Sequence, residues 1–97
     1  MTKKIHVYST KDCPYCTDLK QMLDNHLIPY EVTDVDEEEK EWEEMCKTLN
    51  IEFVPTVIIV DDVLDTAKLL TPDIHFDEVQ ECFDQILEEV NNNGHTY

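Results

Sequence analysis

The chain has 97 residues, with seven lysines, no arginine and 23 acidic residues, which give a formal net charge of −16. This length allows one small domain, and this charge argues against binding to DNA, RNA or an anionic membrane, each of which needs a basic face. The single glycine, Gly94, excludes the glycine-rich loops that hold nucleotides. No apolar run approaches the roughly 20 residues that a membrane span requires.

The first half of the chain alternates between strand and helix patterns. Short segments rich in β-forming residues predict strands at about 4–9 and 30–33. Between them, Pro14 suits the first turn of a helix, and apolar residues follow at helical spacing to about residue 27. A second helix is predicted from an apolar stripe at i, i+3, i+4 and i+7, formed by Trp42, Met45, Cys46 and Leu49.

The second half predicts a hairpin and a final helix. The continuous apolar run over 56–60 is typical of a strand covered on both faces, and the acidic pair after it can turn the chain into a partner strand over 63–69. A loop over 71–73 then leads into the last helix. The apolar face of that helix consists of Phe76, Val79, Phe83, Ile86, Leu87 and Val90.

The predicted order is β-α-β-α-β-β-α, and a four-stranded sheet with helices on its faces accommodates all of it. We expect one α/β domain over residues 1–97, as a monomer, with a frayed tail at about 91–97. The N-terminal residues lead directly into the first strand, without the long apolar stretch of a signal peptide, and we expect a cytoplasmic location.

The segment Cys13-Pro14-Tyr15-Cys16 carries the chemical signal of the sequence. It is a C-x-x-C pair that follows a strand and opens a helix, so the two cysteines can form a disulfide within one turn. The N-terminus of that helix directs free N–H groups at Cys13, and such positions lower a thiol pKa from about 8.5 to about 3.5–7.5. We predict Cys13 as the nucleophile and Cys16 as the thiol that resolves the mixed disulfide.

Charge near this motif differs from charge elsewhere. Residues 1–30 hold four lysines and three aspartates, a net charge of +1, and the remaining residues carry −17. Lys11 and Lys20 lie close to the cysteines in sequence and are predicted to favour the thiolate form.

A zinc site is the alternative interpretation of the C-x-x-C pair. Such a site needs two further ligands, commonly a second pair at close spacing. Cys46 and Cys82 are far apart, have no nearby Cys or His partner and lie on apolar helical faces. We therefore predict no metal site, and we expect both to be buried free thiols in the core.

The chain resembles the glutaredoxins of the thioredoxin superfamily. Cys13-Pro14-Tyr15-Cys16 is identical to the dithiol motif of that family, and Val54-Pro55-Thr56 precedes the third strand as the family's Val-Pro does. The resemblance implies the thioredoxin/glutaredoxin fold, with a four-stranded mixed sheet flanked by three helices. It also implies a cis peptide bond at Pro55, beside the active-site disulfide, and a backbone at Val54 that binds substrate in β-strand fashion.

The resemblance further implies a small dithiol–disulfide oxidoreductase that reduces protein or glutathione mixed disulfides. No tightly bound cofactor is expected, and glutathione is the expected electron donor. The residues expected to bind substrate or glutathione are Lys11, Tyr15, Val54, Pro55 and Thr66. The expected partners are glutathione or a flavoprotein reductase, together with disulfide-containing proteins.

One segment departs from the family pattern. Glutaredoxins usually carry Gly-Gly ten and eleven residues after the proline, followed by a helix N-terminus that holds a carboxylate of glutathione. Counting from Pro55 places Asp65 and Thr66 there, so we expect reduced affinity for glutathione. Two alternatives remain open: a thioredoxin-like electron carrier reduced by a thioredoxin reductase, and a non-catalytic or metal-binding module on the same fold.

Overall fold

The computed structural model of the protein describes residues 3–92, and it confirms the predicted order of elements. These elements are β1 (Lys3–Ser9), α1 (Pro14–Asn25), β2 (Glu31–Asp34), α2 (Glu39–Leu49), β3 (Thr56–Asp61), β4 (Thr66–Leu70) and α3 (Val79–Asn92). None of the described helices is long and apolar enough to cross a membrane.

The four strands form one mixed sheet in the order β2-β1-β3-β4. β1 and β2 are parallel, because α1 connects them and returns the chain to the end of the sheet at which β1 begins. β3 is antiparallel to both of its neighbours, β1 and β4. The carboxyl end of β1 therefore lies beside the amino end of β3, where Tyr8 pairs with Thr56. This arrangement places the segment after β1 near the segment before β3.

One face of the sheet is covered by α1 and α3, and the main core lies beneath them. Alternate residues of β1 point into it, as expected for a strand. The core cluster consists of Ile5, Val7, Leu19, Leu23, Ile28, Val57, Ile59, Leu70, Phe76, Val79, Cys82, Phe83 and Ile86.

The other face is covered by α2, and here the expected burial is wrong. No residue of α2 is buried; Trp42 and Cys46 are half-buried, and Leu49 is 39% exposed. The Trp42 ring stacks on the Tyr8 ring, with centroids 5.8 Å apart. Within the part of the chain that the structure describes, no second helix lies beside α2 on this face. Its apolar stripe is therefore covered by the sheet only, and Cys46 is not a core thiol.

Several element boundaries differ from the sequence prediction for local reasons. β4 begins at Thr66 instead of residue 63, because an Asp61 carboxylate oxygen accepts the backbone N–H groups of Val63 (3.0 Å) and Leu64 (3.1 Å) and forms a wider turn. α3 begins at Val79, so Phe76 precedes the helix although it is buried in the core.

The predicted frayed tail overlaps the described residues only at its start. α3 continues through Asn91 and Asn92, which are the first two residues of the predicted tail. The rest of that tail, 93–97, lies outside the described residues. At the other end, the description begins at Lys3, the first residue of β1.

Candidate functional site

The N-terminus of α1 holds the C-x-x-C pair. Pro14 is the first helical residue, where a backbone N–H would have no acceptor within the helix, so proline loses no hydrogen bond there. Cys13 is the N-cap, in an extended conformation (φ −112°, ψ 103°). The backbone N–H of Cys16 donates a hydrogen bond to the Cys13 Sγ at 3.1 Å. This is the N-cap geometry in which a side chain satisfies a free N–H of the first turn, with sulfur in the place of the usual oxygen. The predicted contact between helix N–H and sulfur is therefore present.

The two sulfur atoms form a disulfide between residues whose Cα atoms lie 5.2 Å apart. Cys16 is completely buried, whereas Cys13 retains 8% exposure. A reagent in solution therefore reaches Cys13 before Cys16. Lys11 is exposed in the turn before the pair, and Lys20 is half-buried on α1.

The segment before β3 contains the cis peptide bond that the resemblance implied, between Val54 and Pro55. The hydroxyl of Thr56 donates to the backbone carbonyl of Phe53 at 2.6 Å and is hydrogen-bonded to the Thr71 hydroxyl at 2.8 Å. Both threonines are buried. These bonds fasten the start of β3 to the end of β4, so the two loops beyond them share one end of the sheet.

A groove of about 660 Å³ opens at this end, between α1, the segment before β3 and the loop before α3. Its apolar wall includes Tyr15, Phe53, Val54, Pro55 and Phe76. Tyr15 is 65% exposed and Phe53 48% exposed, so both rings are available to a ligand. The structure therefore brings Tyr15, Val54 and Pro55 together, as expected.

Four carboxylates also line the groove. We call Asp18, Asp73, Asp77 and Glu78 the acidic wall; all four line the groove and all four are exposed. Asp73 has a positive φ of 69°, a conformation that aspartate tolerates better than most residues. The sequence analysis missed this wall, because Asp18 is on α1 and the other members lie more than 50 residues later.

Two N–H groups just before α3 are satisfied by a side chain of the helix itself. One carboxylate oxygen of Glu81 accepts the backbone N–H groups of Glu78 (2.9 Å) and Asp77 (3.0 Å). These two donors, from Glu78 and then Asp77, hold the pKa of the Glu81 carboxyl below its usual value. The spacing of a glutamate three residues after a polar residue, as in a capping box, is the sequence signal that predicts this arrangement.

Two expected binding residues, Lys11 and Thr66, do not line the groove, and the more distant of them is Thr66. It pairs with Asp61 at the far end of β3, about 17 Å along the strand from Thr56. The family spacing of ten and eleven residues after Pro55 leads to the junction between the β3–β4 turn and β4. This spacing takes no account of the length of the hairpin in this chain. The residues that reach the groove from this side are Pro72 and Asp73, which follow β4.

The remaining thiols differ from the C-x-x-C pair. Cys82 is completely buried, which confirms the expectation for it, and burial raises its pKa to about 12. The pKa of Cys46 is also raised, by burial first and then by Glu52 and Glu43. Cys46 and Cys82 are both free. Among the described residues, no three potential ligands from His, Cys, Asp and Glu are grouped to hold a metal ion.

Solved structures with a similar fold include a thioredoxin-like protein. A single-residue mutant of the thioredoxin-like protein BC3987 is similar with a TM-score of 0.62 and 26% identity, over 87% of this chain and 99% of that chain. The unmutated BC3987 gives 0.61 and 22% identity, over 90% and 99%. A malarial protein gives 0.55 and 18% identity, over 91% and 97%.

Sequence comparison identifies the family. A search of curated proteins finds no match. The profile of the glutaredoxin family matches residues 5–64, more than half of the chain, and the match includes the C-x-x-C pair and the cis proline. The matched range ends before β4, so most of the acidic wall follows it. The thioredoxin fold and this match together show that the chain belongs to the glutaredoxin family.

Proposed function

We propose that the protein is a dithiol–disulfide oxidoreductase and that Cys13 and Cys16 are its catalytic residues. Membership of the glutaredoxin family supports thiol–disulfide exchange as the type of reaction. The observation that carries the assignment of residues is the position of the Cys13 sulfur at the N-terminus of α1, where the Cys16 N–H donates to it.

Cys13 acts first in the reduced protein. The N–H of Cys16 and the dipole of α1 favour a negatively charged sulfur at the N-cap, so Cys13 reacts as the thiolate. Its Sγ attacks one sulfur of a substrate disulfide. A bond forms between Cys13 and that sulfur, the substrate S–S bond breaks, and the departing sulfur takes up a proton.

Cys16 completes the reaction. It lies one helical turn further along and is completely buried, so its only accessible electrophile is the mixed disulfide on Cys13. The thiolate of Cys16 attacks the Cys13 Sγ, the Cys13–Cys16 bond forms, and the second substrate thiol leaves with a proton. Two electrons pass from the cysteine pair to the substrate, and two electrons from a thiol donor restore the pair.

The groove positions the substrate for this exchange. We assign substrate binding to the backbone of Val54, to Pro55 and to the exposed ring of Tyr15, which line the groove together. Lys11, exposed two residues before Cys13, adds positive charge next to the thiolate. We assign Thr66 no part in binding, since it lies at the other end of the sheet.

Glutathione is the donor that the family suggests, and a flavoprotein reductase is the second candidate. One observation favours the reductase. Two N–H groups just before α3, those of Asp77 and Glu78, already donate to Glu81, and the carboxylates of Asp73, Asp77 and Glu78 line the same groove. An anionic tripeptide would bind there against like charge.

Turnover of a small symmetric disulfide tests the proposal. Oxidation of NADPH is followed with glutathione plus glutathione reductase, and separately with thioredoxin reductase. We expect turnover with at least one donor, none for Cys13→Ser, and accumulation of a covalent substrate adduct, visible by mass spectrometry, for Cys16→Ser. Cys46→Ser is the matched control and retains turnover. Full activity of Cys13→Ser would rule out the assignment.

The state and location of the protein are further parts of the proposal. We propose a monomer that forms one domain over residues 1–97 and works in the cytoplasm, where thiols are kept reduced. Sedimentation of the reduced and oxidised protein measures the first property. Localisation of the tagged chain measures the second.

A further inference from the structure

The groove, which is bordered by Tyr15 of the C-x-x-C segment, is strongly acidic. Four carboxylates line it, no lysine does, and within residues 3–92 none of the four forms an ion pair. Charges of one sign in a concave surface concentrate ligands of the opposite sign and repel ligands of the same sign. The groove therefore discriminates between substrates by their charge.

The start of α3 strengthens this discrimination. A helix N-terminus normally attracts anions, because its first N–H groups have no partner and carry partial positive charge. Here the N–H groups of Asp77 and Glu78 donate to Glu81. An anion in the groove thus finds these two N–H groups already occupied, and the Glu81 carboxylate offsets part of the positive field of the helix.

The apolar wall determines what else the ligand must provide. The exposed Tyr15 and Phe53 rings stand on the same groove as the acidic wall. A second cavity of about 220 Å³ shares Phe53 and Asp73 with the groove and is bordered by Ile74, which is 62% exposed. The surface is therefore continuous, and it suits an extended chain better than one small molecule.

We propose that this groove binds an extended segment of a substrate protein in which a lysine or arginine lies next to the disulfide cysteine. The basic side chain meets the acidic wall, and an apolar neighbour packs on Tyr15 or Phe53. This inference rests on the proposed function, because the bound segment is the one that presents its disulfide to Cys13. Solvated ion pairs contribute little affinity each, so the charge acts mainly on the rate of association.

Single-turnover kinetics with three matched peptides test this inference. Each peptide carries the same mixed disulfide, flanked by Lys-Lys, Gln-Gln or Glu-Glu. The fully reduced protein is mixed with each peptide, and the second-order rate constant is measured at low and high salt. We expect the Lys-Lys peptide to react about tenfold faster than the Glu-Glu peptide at low salt, with a ratio that falls as salt increases.

Two double variants identify the source of the preference. Asp73→Asn with Asp77→Asn removes two charges from the acidic wall, and asparagine tolerates the left-handed backbone at position 73. We expect this variant to bring the Lys-Lys to Glu-Glu ratio to about twofold. The control, Glu37→Gln with Glu44→Gln, removes the same charge from exposed residues that do not line the groove and keeps the preference.

The outcomes separate this inference from the proposed function. Equal rates for all three peptides, or equal loss of preference in the two double variants, would overturn the inference and leave the oxidoreductase function intact. Failure to reduce even the Gln-Gln peptide would overturn the proposed function, and the inference with it.

Discussion

α1 and α3 pack against each other on one face of the sheet, and both begin at the groove, but their N-termini are used in opposite ways. At α1 the N-cap is the sulfur of Cys13, which accepts the N–H of Cys16. At α3 the N–H groups of Asp77 and Glu78, just before the helix, donate to Glu81 of its first turn. One helix end is thus available to a sulfur that becomes negatively charged during the reaction. At the other end, two N–H groups already bind a carboxylate of the same chain.

The largest expected difference between the two helices is in thiol reactivity, between Cys13 at the start of α1 and Cys82 in α3. Cys13 retains 8% exposure at a helix N-terminus, whereas burial excludes Cys82 from water and raises its pKa to about 12. At neutral pH a larger fraction of Cys13 than of Cys82 should therefore be thiolate. We expect iodoacetamide to alkylate Cys13 in the reduced protein at least about 100-fold faster than Cys82, as measured by peptide mass spectrometry, although the lower pKa of Cys13 makes its thiolate intrinsically less nucleophilic. In denaturant the two rates should converge, and comparable rates in the folded protein would contradict the contrast.

The later turns of α3 are anchored by charge, which α1 lacks. Glu89 accepts hydrogen bonds from the ammonium groups of Lys3 and Lys68, each at 2.9 Å, and so links α3 to β1 and β4. The Lys3 bond, followed by the Lys68 bond, holds the pKa of the Glu89 carboxyl below its usual value. The ionised Glu89 carboxylate therefore stabilises the fold at pH values above the pKa of a glutamate in the unfolded chain, about 4.3. This stabilisation is lost as the pH falls through the lower pKa of Glu89 in the folded state.

We expect Glu89→Gln to lower the free energy of unfolding by about 1 kcal/mol at neutral pH, and by less in acid. Urea denaturation at the two pH values measures this difference. Glu88→Gln is the matched control, because Glu88 is exposed and takes part in none of the ion pairs of the described residues. An equal loss in both variants would show that the bridge contributes nothing specific.

The smallest expected effect is at the C-terminal end of α1, where a substitution should increase stability. Leu27 follows the helix with a left-handed φ of 56° and is 89% exposed, so it has backbone strain and little packing. We expect Leu27→Gly to raise the free energy of unfolding by about 0.5–1 kcal/mol, because glycine adopts this conformation without the clash of a β-carbon. Thermal denaturation measures the gain. Leu27→Ala keeps the β-carbon and should show no gain; equal stability of the two variants would contradict this explanation.

The order of elements could be predicted from sequence because each element carries its own periodicity. The run over 56–60 is β3 within one residue, and the cysteine pair opens α1 as its proline predicts. The half-exposure of Cys46 could not be predicted in this way. Periodicity shows that a helix has an apolar side, but the number of neighbouring elements that cover that side is a property of the fold.

The groove shows the same limit. The cysteine pair and the cis proline lie in segments whose local patterns identify them. The position of Thr66 could not be obtained by counting from Pro55, since the length of a hairpin turn moves every later residue along the sheet. The acidic wall depends on packing between residues distant in sequence, Asp18 and Asp73 among them, and no local pattern contains that information.

The stacking of Trp42 on Tyr8 has a consequence for spectroscopy. Trp42 is the only tryptophan, and it belongs to α2, the one described helix without a buried residue. Helices with few buried contacts open at a lower free energy than the core, before global unfolding. Tryptophan emission therefore follows the detachment of α2 from the sheet, whereas amide exchange in β1 and β3 follows the loss of the core. A melting curve recorded by fluorescence alone would understate the stability of the half of the molecule that holds the cysteine pair.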